Sequence, residues 1–348
     1  MFAMVINRYG AAADVLQAEE ILKPTIKPDE VLVRLKATSI NPIEYKMRTG
    51  YGRKMFTKKR GFEFPLVLGN DVCGVIEAVG SKVTEFQTGD AVFSAPEVNG
   101  QGSYGEYRAI KASSCVEKPS NLTYVQAASI PYVALTSWAA LVTKARLGPD
   151  NSRGKRVLVH GGSGGIGSFA IQLLKAWGAE VTATCSTDKV ERVRQLGADR
   201  VIDYKTQDFT QGLKGFDLVL DTVGGDYEEK SLRVLSKDAA GQKGAEAQYV
   251  TLLVPILAAI DDKGFIRGGF SSVMELLRKK KTYKKQNIQY HWGLFKSDRD
   301  ALVVIKDLIE QGKIKPVVDC SFPLNRLAEA HDYAESGKAF GKVGIDIP

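Results

Sequence analysis

Gly162-Ser163-Gly164-Gly165-Ile166-Gly167 reads G-x-G-x-x-G and is the run best suited to chemistry in this chain. It follows the strand-like Lys155-Arg156-Val157-Leu158-Val159-His160 and opens an amphipathic helix over Ser168–Trp177, stopped by Gly178. Glycines there let the backbone approach a pyrophosphate, while the helix N-terminus supplies free N–H groups and the positive end of its dipole. A tight turn with no ligand would also use glycine, but the strand–loop–helix setting argues for a dinucleotide. NAD-selective sites place Asp or Glu about 20 residues further on, against the ribose 2′-hydroxyl. Here the second strand ends Ala183-Thr184-Cys185-Ser186, without an acid. Ser186 and Lys189 could hold a 2′-phosphate, which a carboxylate would repel; Lys189 also reads as an ordinary helix-surface lysine. The expected cofactor is NADPH.

These groups need a framework of alternating strands and helices. Strands are expected at Glu180–Cys185, Arg200–Ile202, Phe216–Leu220, Tyr249–Leu253 and Ile288–His291, with helices between the first of them. That spacing predicts an α/β, doubly wound parallel sheet. The first hundred-odd residues differ: short strands at Val31–Ala37, Asp71–Val79 and Ala91–Phe93 are separated by turn signals, as in a β-rich domain. The character changes near Pro131. After a helix near Asp298–Glu310, two short strands (Asp319–Phe322 and Lys342–Asp346) read as a return to the first domain.

At 348 residues, with 44% hydrophobic and 25% charged, the chain suits two globular domains. The formal charge of +8 is compatible with an anionic partner. Its clearest basic run, Arg278-Lys279-Lys280-Lys281 with Lys284-Lys285, has one aromatic nearby and no nucleic-acid motif, so a solvated helix end and turn is expected. Cys73, Cys115, Cys185 and Cys320 are too scattered for a disulfide framework or zinc knuckle. No apolar run approaches a membrane span's length, and the first residues carry no signal-peptide pattern. The expectation is a protein that is not secreted: cytoplasmic if bacterial, mitochondrial if a eukaryotic presequence has been removed.

Further stretches carry a family likeness. Asn41-Pro42-Ile43-Glu44, Met47 to Tyr51, Phe64 to Asp71, Gly89-Asp90-Ala91-Val92, Ala127 to Pro131, Leu196-Gly197-Ala198-Asp199, Asp203-Tyr204-Lys205 and Gly341-Lys342-Val343 bracket the glycine loop in order. Together they resemble the medium-chain dehydrogenase/reductases, in particular the quinone-oxidoreductase-like branch, over essentially the whole chain. The resemblance implies a GroES-like catalytic domain from residues 1–130 and 294–348, with a Rossmann domain, 131–293, inserted. The nicotinamide would lie in the cleft between them. It places Ser163, Gly164, Gly165, Ile166 and Gly167 on the pyrophosphate, Ser186 and Lys189 on the 2′-phosphate, and Tyr204 near the adenosine. Thr222 and Leu252 would follow strand ends toward the nicotinamide, and Gly341 and Lys342 would close over it.

Zinc-dependent members of the superfamily need a cysteine where this chain has Asn41, and Gly-His-Glu where it has Gly69-Asn70-Asp71. The three histidines, His160, His291 and His331, are scattered, so no metal is expected. Without zinc to polarise an alcohol, the acceptor expected is a small quinone or activated enone, whose oxygen can be protonated late. Asn41, Tyr51 and Tyr45 are the candidate donors to that oxygen, with Arg53, Lys54, Lys58, Lys59 and Arg60 flanking the mouth of the pocket. A 2-enoyl thioester reductase, or an NADPH- or partner-binding protein with little turnover, would use the same scaffold. Ile288–His291, as a sheet edge, suggests a homodimer.

Overall fold

The computed structural model describes residues 1–56, 62–98, 101–235 and 246–348; Lys58, Lys59 and Arg60 therefore lie outside the described residues. Its six-stranded sheet runs in the order Arg200–Asp203, Glu180–Cys185, Arg156–His160, Leu218–Asp221, Ala247–Thr251, Ile288–Trp292. Every neighbouring pair is parallel. Parallel strands are covered on both faces, which explains runs such as Val157-Leu158-Val159, all fully buried. The first of these strands in sequence, Arg156–His160, sits between the second, Glu180–Cys185, and the fourth, Leu218–Asp221, so the chain order reverses there. A crevice opens at the carboxyl ends of strands around such a switch point, and here that end leads into the glycine loop. The helix that follows begins inside the loop, at Gly165, and packs Phe169, Ile171, Leu173 and Leu174 into the core.

The second architecture is a seven-stranded mixed sheet beside a three-stranded one. The long strand Glu30–Ile40 is its spine, paired antiparallel with Val72–Val79, Tyr107–Lys111 and Lys342–Asp346. The chain's last strand, Lys342–Asp346, thus lies between Glu30–Ile40 and the parallel strand Val318–Pro323. The tail does rejoin the β-rich region.

Two elements depart from expectation. Tyr124–Lys144 is 21 residues long with a mean hydropathy of 1.3, apolar enough by length and composition to cross a membrane. Polar Gln, Ser and Thr interrupt its apolar runs, which hides it from a search for continuous ones. In the fold 72% of that window is buried, with Ala127, Ala128, Ala134 and Leu141 in the largest apolar cluster. The second is the 20-residue helix Phe265–Lys284, whose Gly268-Gly269 pair and outward apolar residues obscure a helical period. The basic run forms its last turns, with Lys285 just beyond; Lys279 leaves the solvated set, 2.6 Å from Glu228.

Candidate active site in the interdomain cleft

The glycine loop is held from both sides. Gly162 donates its N–H to Thr184 at 2.8 Å, and Gly341 donates to the Ser163 carbonyl at 2.8 Å. Gly164 and Gly341 form a parallel bridge, so the loop of one sheet is bonded to the tail of the other. Two glycines are demanded by geometry. A Cβ on Gly167 would lie 2.2 Å from the Gly161 carbonyl oxygen, and Gly341, at φ +82°, would drive one to 2.3 Å from the Val317 carbonyl oxygen. A Cβ on Gly165 would meet the Lys342 and Val133 side chains at 2.8 and 3.1 Å. These close approaches leave a cleft of about 290 Å³. Asn41, Tyr45, Ser163, Gly164, Gly165, Ile166, Gly167, Lys189, Thr222, Gly341 and Lys342 all line it.

Its floor is a buried charge network. Asn41, preceding the helix Pro42–Arg48, donates through Nδ2 to Glu44 at 3.0 Å and Asp71 at 2.8 Å. Its Oδ1 accepts from the Lys342 ammonium, which also donates to the Ile40 carbonyl at 2.7 Å and lies 3.5 Å from Asp71. Asp71, fully buried, accepts the Tyr132 N–H at 2.7 Å and the Ser39 hydroxyl. Glu44 accepts from Asn70 and from the Tyr104 hydroxyl, which lies 3.2 Å from His331 Nε2. Burial raises the Glu44 carboxyl above its ordinary range although Lys342 opposes this, and burial lowers Lys342 although Asp71 and Glu44 oppose that. His160 and His331 are buried beside hydroxyl groups, and burial lowers them to about 4 and about 3, so both are neutral imidazoles.

This network changes several expectations. Both Asn41 amide hydrogens are committed to carboxylates, so Asn41 organises the floor and has no free N–H for an acceptor. Tyr51 lies outside the cleft, in a small separate cavity with Tyr9, Phe56 and Phe64. Tyr45 does line the cleft, and burial first, then the charges of Glu335 and Glu44, hold its phenol up as a neutral donor. Ser186, Tyr204 and Leu252 are not among the lining residues. Ser186 donates its hydroxyl to Asp188 at 2.6 Å, so an acid does stand beside it, two residues beyond the strand-end quartet. Tyr204 is half exposed, and Leu252 packs its side chain against the core. The Lys189 ammonium donates to the Gly337 and Ala339 carbonyls at 2.8 and 2.9 Å, which leaves one hydrogen for an anion. Thr222 donates its hydroxyl to the His160 carbonyl at 2.7 Å. Tyr132 is the residue the sequence reading missed. It lines the cleft, stacks on Phe295 with ring centroids 4.6 Å apart, and has its phenol raised by burial. Its signal, the Pro131-Tyr132 pair at the start of an apolar helix, carries no chemistry until the fold turns it inward.

A nucleotide loop at a switch point, roofed by a strand from a β domain, defines a nicotinamide-dependent oxidoreductase of two-domain build. Comparison with known proteins makes the class specific. The alcohol dehydrogenase GroES-like domain family matches residues 27–120, and the zinc-binding dehydrogenase family matches residues 196–343. The mitochondrial NAD(P)H oxidoreductase RTN4IP1 of Bos taurus is 41% identical, over 100% of this chain and 89% of that protein. The chloroplastic NADPH-dependent alkenal/one oxidoreductase of Arabidopsis thaliana is 35% identical, over 99% of this chain and 79% of that protein. The solved quinone oxidoreductase of Coxiella burnetii superposes with a TM-score of 0.83 at 26% identity, over 100% and 99% of the two chains. The chain belongs to the medium-chain dehydrogenase/reductases, in their quinone-oxidoreductase-like branch. It is an NAD(P)H oxidoreductase with a GroES-like domain and a Rossmann domain.

Proposed function

We propose that the chain is a zinc-independent, NADPH-dependent reductase of quinones or similarly electron-poor enones and carbonyls, held in the interdomain cleft. The observation that carries this reading is the Lys342 ammonium on the cleft floor, bound to Asn41 and paired with Asp71. It fills, with a fixed cation, the cluster in which zinc-dependent members would need thiolate and imidazole ligands. Among the described residues no group of three His, Cys, Asp or Glu could hold a metal ion. Two amides and a lysine are a poor donor set for zinc. Acceptors that need no Lewis acid suit such a site.

The cradle fits a nicotinamide dinucleotide, which when bound supplies the hydride. The loop N–H groups would receive the pyrophosphate, and the spare Lys189 hydrogen the 2′-phosphate. Tyr45 and Tyr132, whose phenols burial keeps protonated still further into the alkaline range, would donate to the acceptor oxygen as charge develops there. We assign the domains to residues 1–130 with 294–348 and to 131–293. A homodimer would pair the edge strand Ile288–Trp292 with its copy. For a eukaryotic source, the name of the Bos taurus relative supports a mitochondrial location. The deciding experiment is steady-state NADPH oxidation with a quinone, an alkenal and a 2-enoyl thioester. Turnover with either of the first two supports the reading; turnover with the thioester alone reassigns the chain as an enoyl reductase. NADPH binding with no turnover at all makes it a binding protein.

A further inference from the structure

The helix Phe265–Lys284 turns its apolar side the wrong way. Gly268, Ser272 and Tyr283 are buried against the domain, and Gly268 packs so closely that a Cβ would lie 2.3 Å from the Ala259 carbonyl oxygen. On the opposite side Ile266, Phe270, Val273, Met274 and Leu277 follow the i, i+4, i+7, i+8, i+11 spacing of one face. They are 83%, 68%, 54%, 49% and 54% exposed. A surface helix ordinarily shows water its polar face, and an outward apolar stripe marks an interaction surface.

The charges around the stripe indicate what covers it. Arg267, Arg278, Lys280, Lys281, Lys284 and Lys285 are exposed, and Glu275 is the helix's one acid. Asp261 of the preceding helix, Ile256–Lys263, accepts the Gly52 and Lys54 N–H groups at 2.5 and 3.0 Å, which sets the exposed Arg53 and Lys54 beside that helix. A second copy of the face would set these cations against one another with little acid to offset them. An anionic bilayer meets both halves, with headgroups for the lysines and arginines and the acyl boundary for the side chains.

We infer that this helix is a membrane-surface docking element, lying in the plane of an anionic lipid bilayer. The site is separate from the cleft and does not depend on which acceptor the enzyme uses.

The full chain is to be mixed with vesicles of phosphatidylcholine alone, or of phosphatidylcholine with roughly one-third phosphatidylglycerol, and sedimented at low and raised salt. Wild type should partition onto the anionic vesicles, and added salt should weaken it. Phe270→Ser with Leu277→Ser should lower partitioning by at least about tenfold. Arg278→Gln with Lys281→Gln and Lys284→Gln should lower it by about fivefold per charge. All five side chains are exposed, so NADPH binding without vesicles should be unchanged in both variants, which separates loss of docking from loss of folding. No binding to anionic vesicles, equal binding to neutral ones, or an unaffected Phe270/Leu277 variant would overturn the inference. So would a wild-type dimer that ignores vesicles and becomes monomeric in that variant, since the face would then belong to a second copy.

Discussion

Replacing Lys342 with Met tests the floor of the cleft directly. The methionine keeps the length of the apolar stem and removes the ammonium, which is 5% exposed and 3.5 Å from a fully buried Asp71 carboxylate. At that distance, with an effective dielectric constant of about 20, the Coulomb attraction is about 5 kcal/mol. Desolvation of both charges offsets much of it in the intact protein, but the variant keeps the Asp71 desolvation and loses the attraction. Asp71 retains donors in Tyr132, Asn41 and Ser39, yet among the described residues no counter-charge at hydrogen-bonding range. Breaking a buried pair in this way costs about 3–5 kcal/mol, a large share of a total stability of about 5–15 kcal/mol. Urea unfolding of wild type, Lys342→Met, Asp71→Asn and the double variant would close a double-mutant cycle. Lys342→Met should lose at least about 3 kcal/mol, and adding Asp71→Asn should recover much of it, with a coupling of at least about 2 kcal/mol. A single variant within about 1 kcal/mol of wild type, or additive losses, would refute the claim that the ammonium compensates Asp71.

Titration by nicotinamide fluorescence should show NADPH binding more tightly than NADH, and Lys189→Glu should narrow or reverse the preference; equal affinities in wild type would remove the role given to that lysine. Tyr45→Phe should lower kcat for a quinone or enone by about tenfold to a hundredfold, with cofactor affinity unchanged, as expected for a lost donor to developing charge. Purified protein should carry no stoichiometric zinc by elemental analysis, and chelators should leave turnover unaltered. His331, lowered by burial from 6.5 to about 3, binds fewer protons folded than unfolded, so its contribution is present above pH 6.5 and lost as pH falls. Between pH 6.5 and 5 the loss is about 2 kcal/mol, and urea midpoints of a His331→Gln variant should show a correspondingly shallower dependence.

The parallel sheet was legible because its strands are short apolar runs bounded by glycine turns, and the strand–loop–helix turn because its glycines sit between a strand and a helix. The floor was less so. Asn41, Asp71 and Lys342 stand up to 301 positions apart, and nothing in their spacing shows that one amide has both hydrogens taken by carboxylates. Tyr51 lies in the turn beyond the helix Pro42–Arg48, between Gly50 and Gly52 at positive φ, and that turn carries it away from the cleft, while Tyr45 faces the cleft from the helix itself. The Asp188 contact escaped because strand-end reasoning stops at Ser186, while the chain turns back within two residues. The outward helix was hidden by its own anomaly, since an apolar stripe facing water breaks the rule by which helices are recognised.

The bridge between Gly164 and Gly341 has a consequence for the order in which this protein becomes competent. The nucleotide domain holds its strands within residues 156–292, yet one wall of the proposed cofactor cradle arrives with Gly341 and Lys342, where the strand Lys342–Asp346 begins. During synthesis the Rossmann sheet can therefore assemble while its ligand site is still open on one side. Only when the final strand slots between Glu30–Ile40 and Val318–Pro323 does the cradle close. Cofactor capture at the proposed site would thereby report that the β-rich segments before and after the nucleotide domain have met.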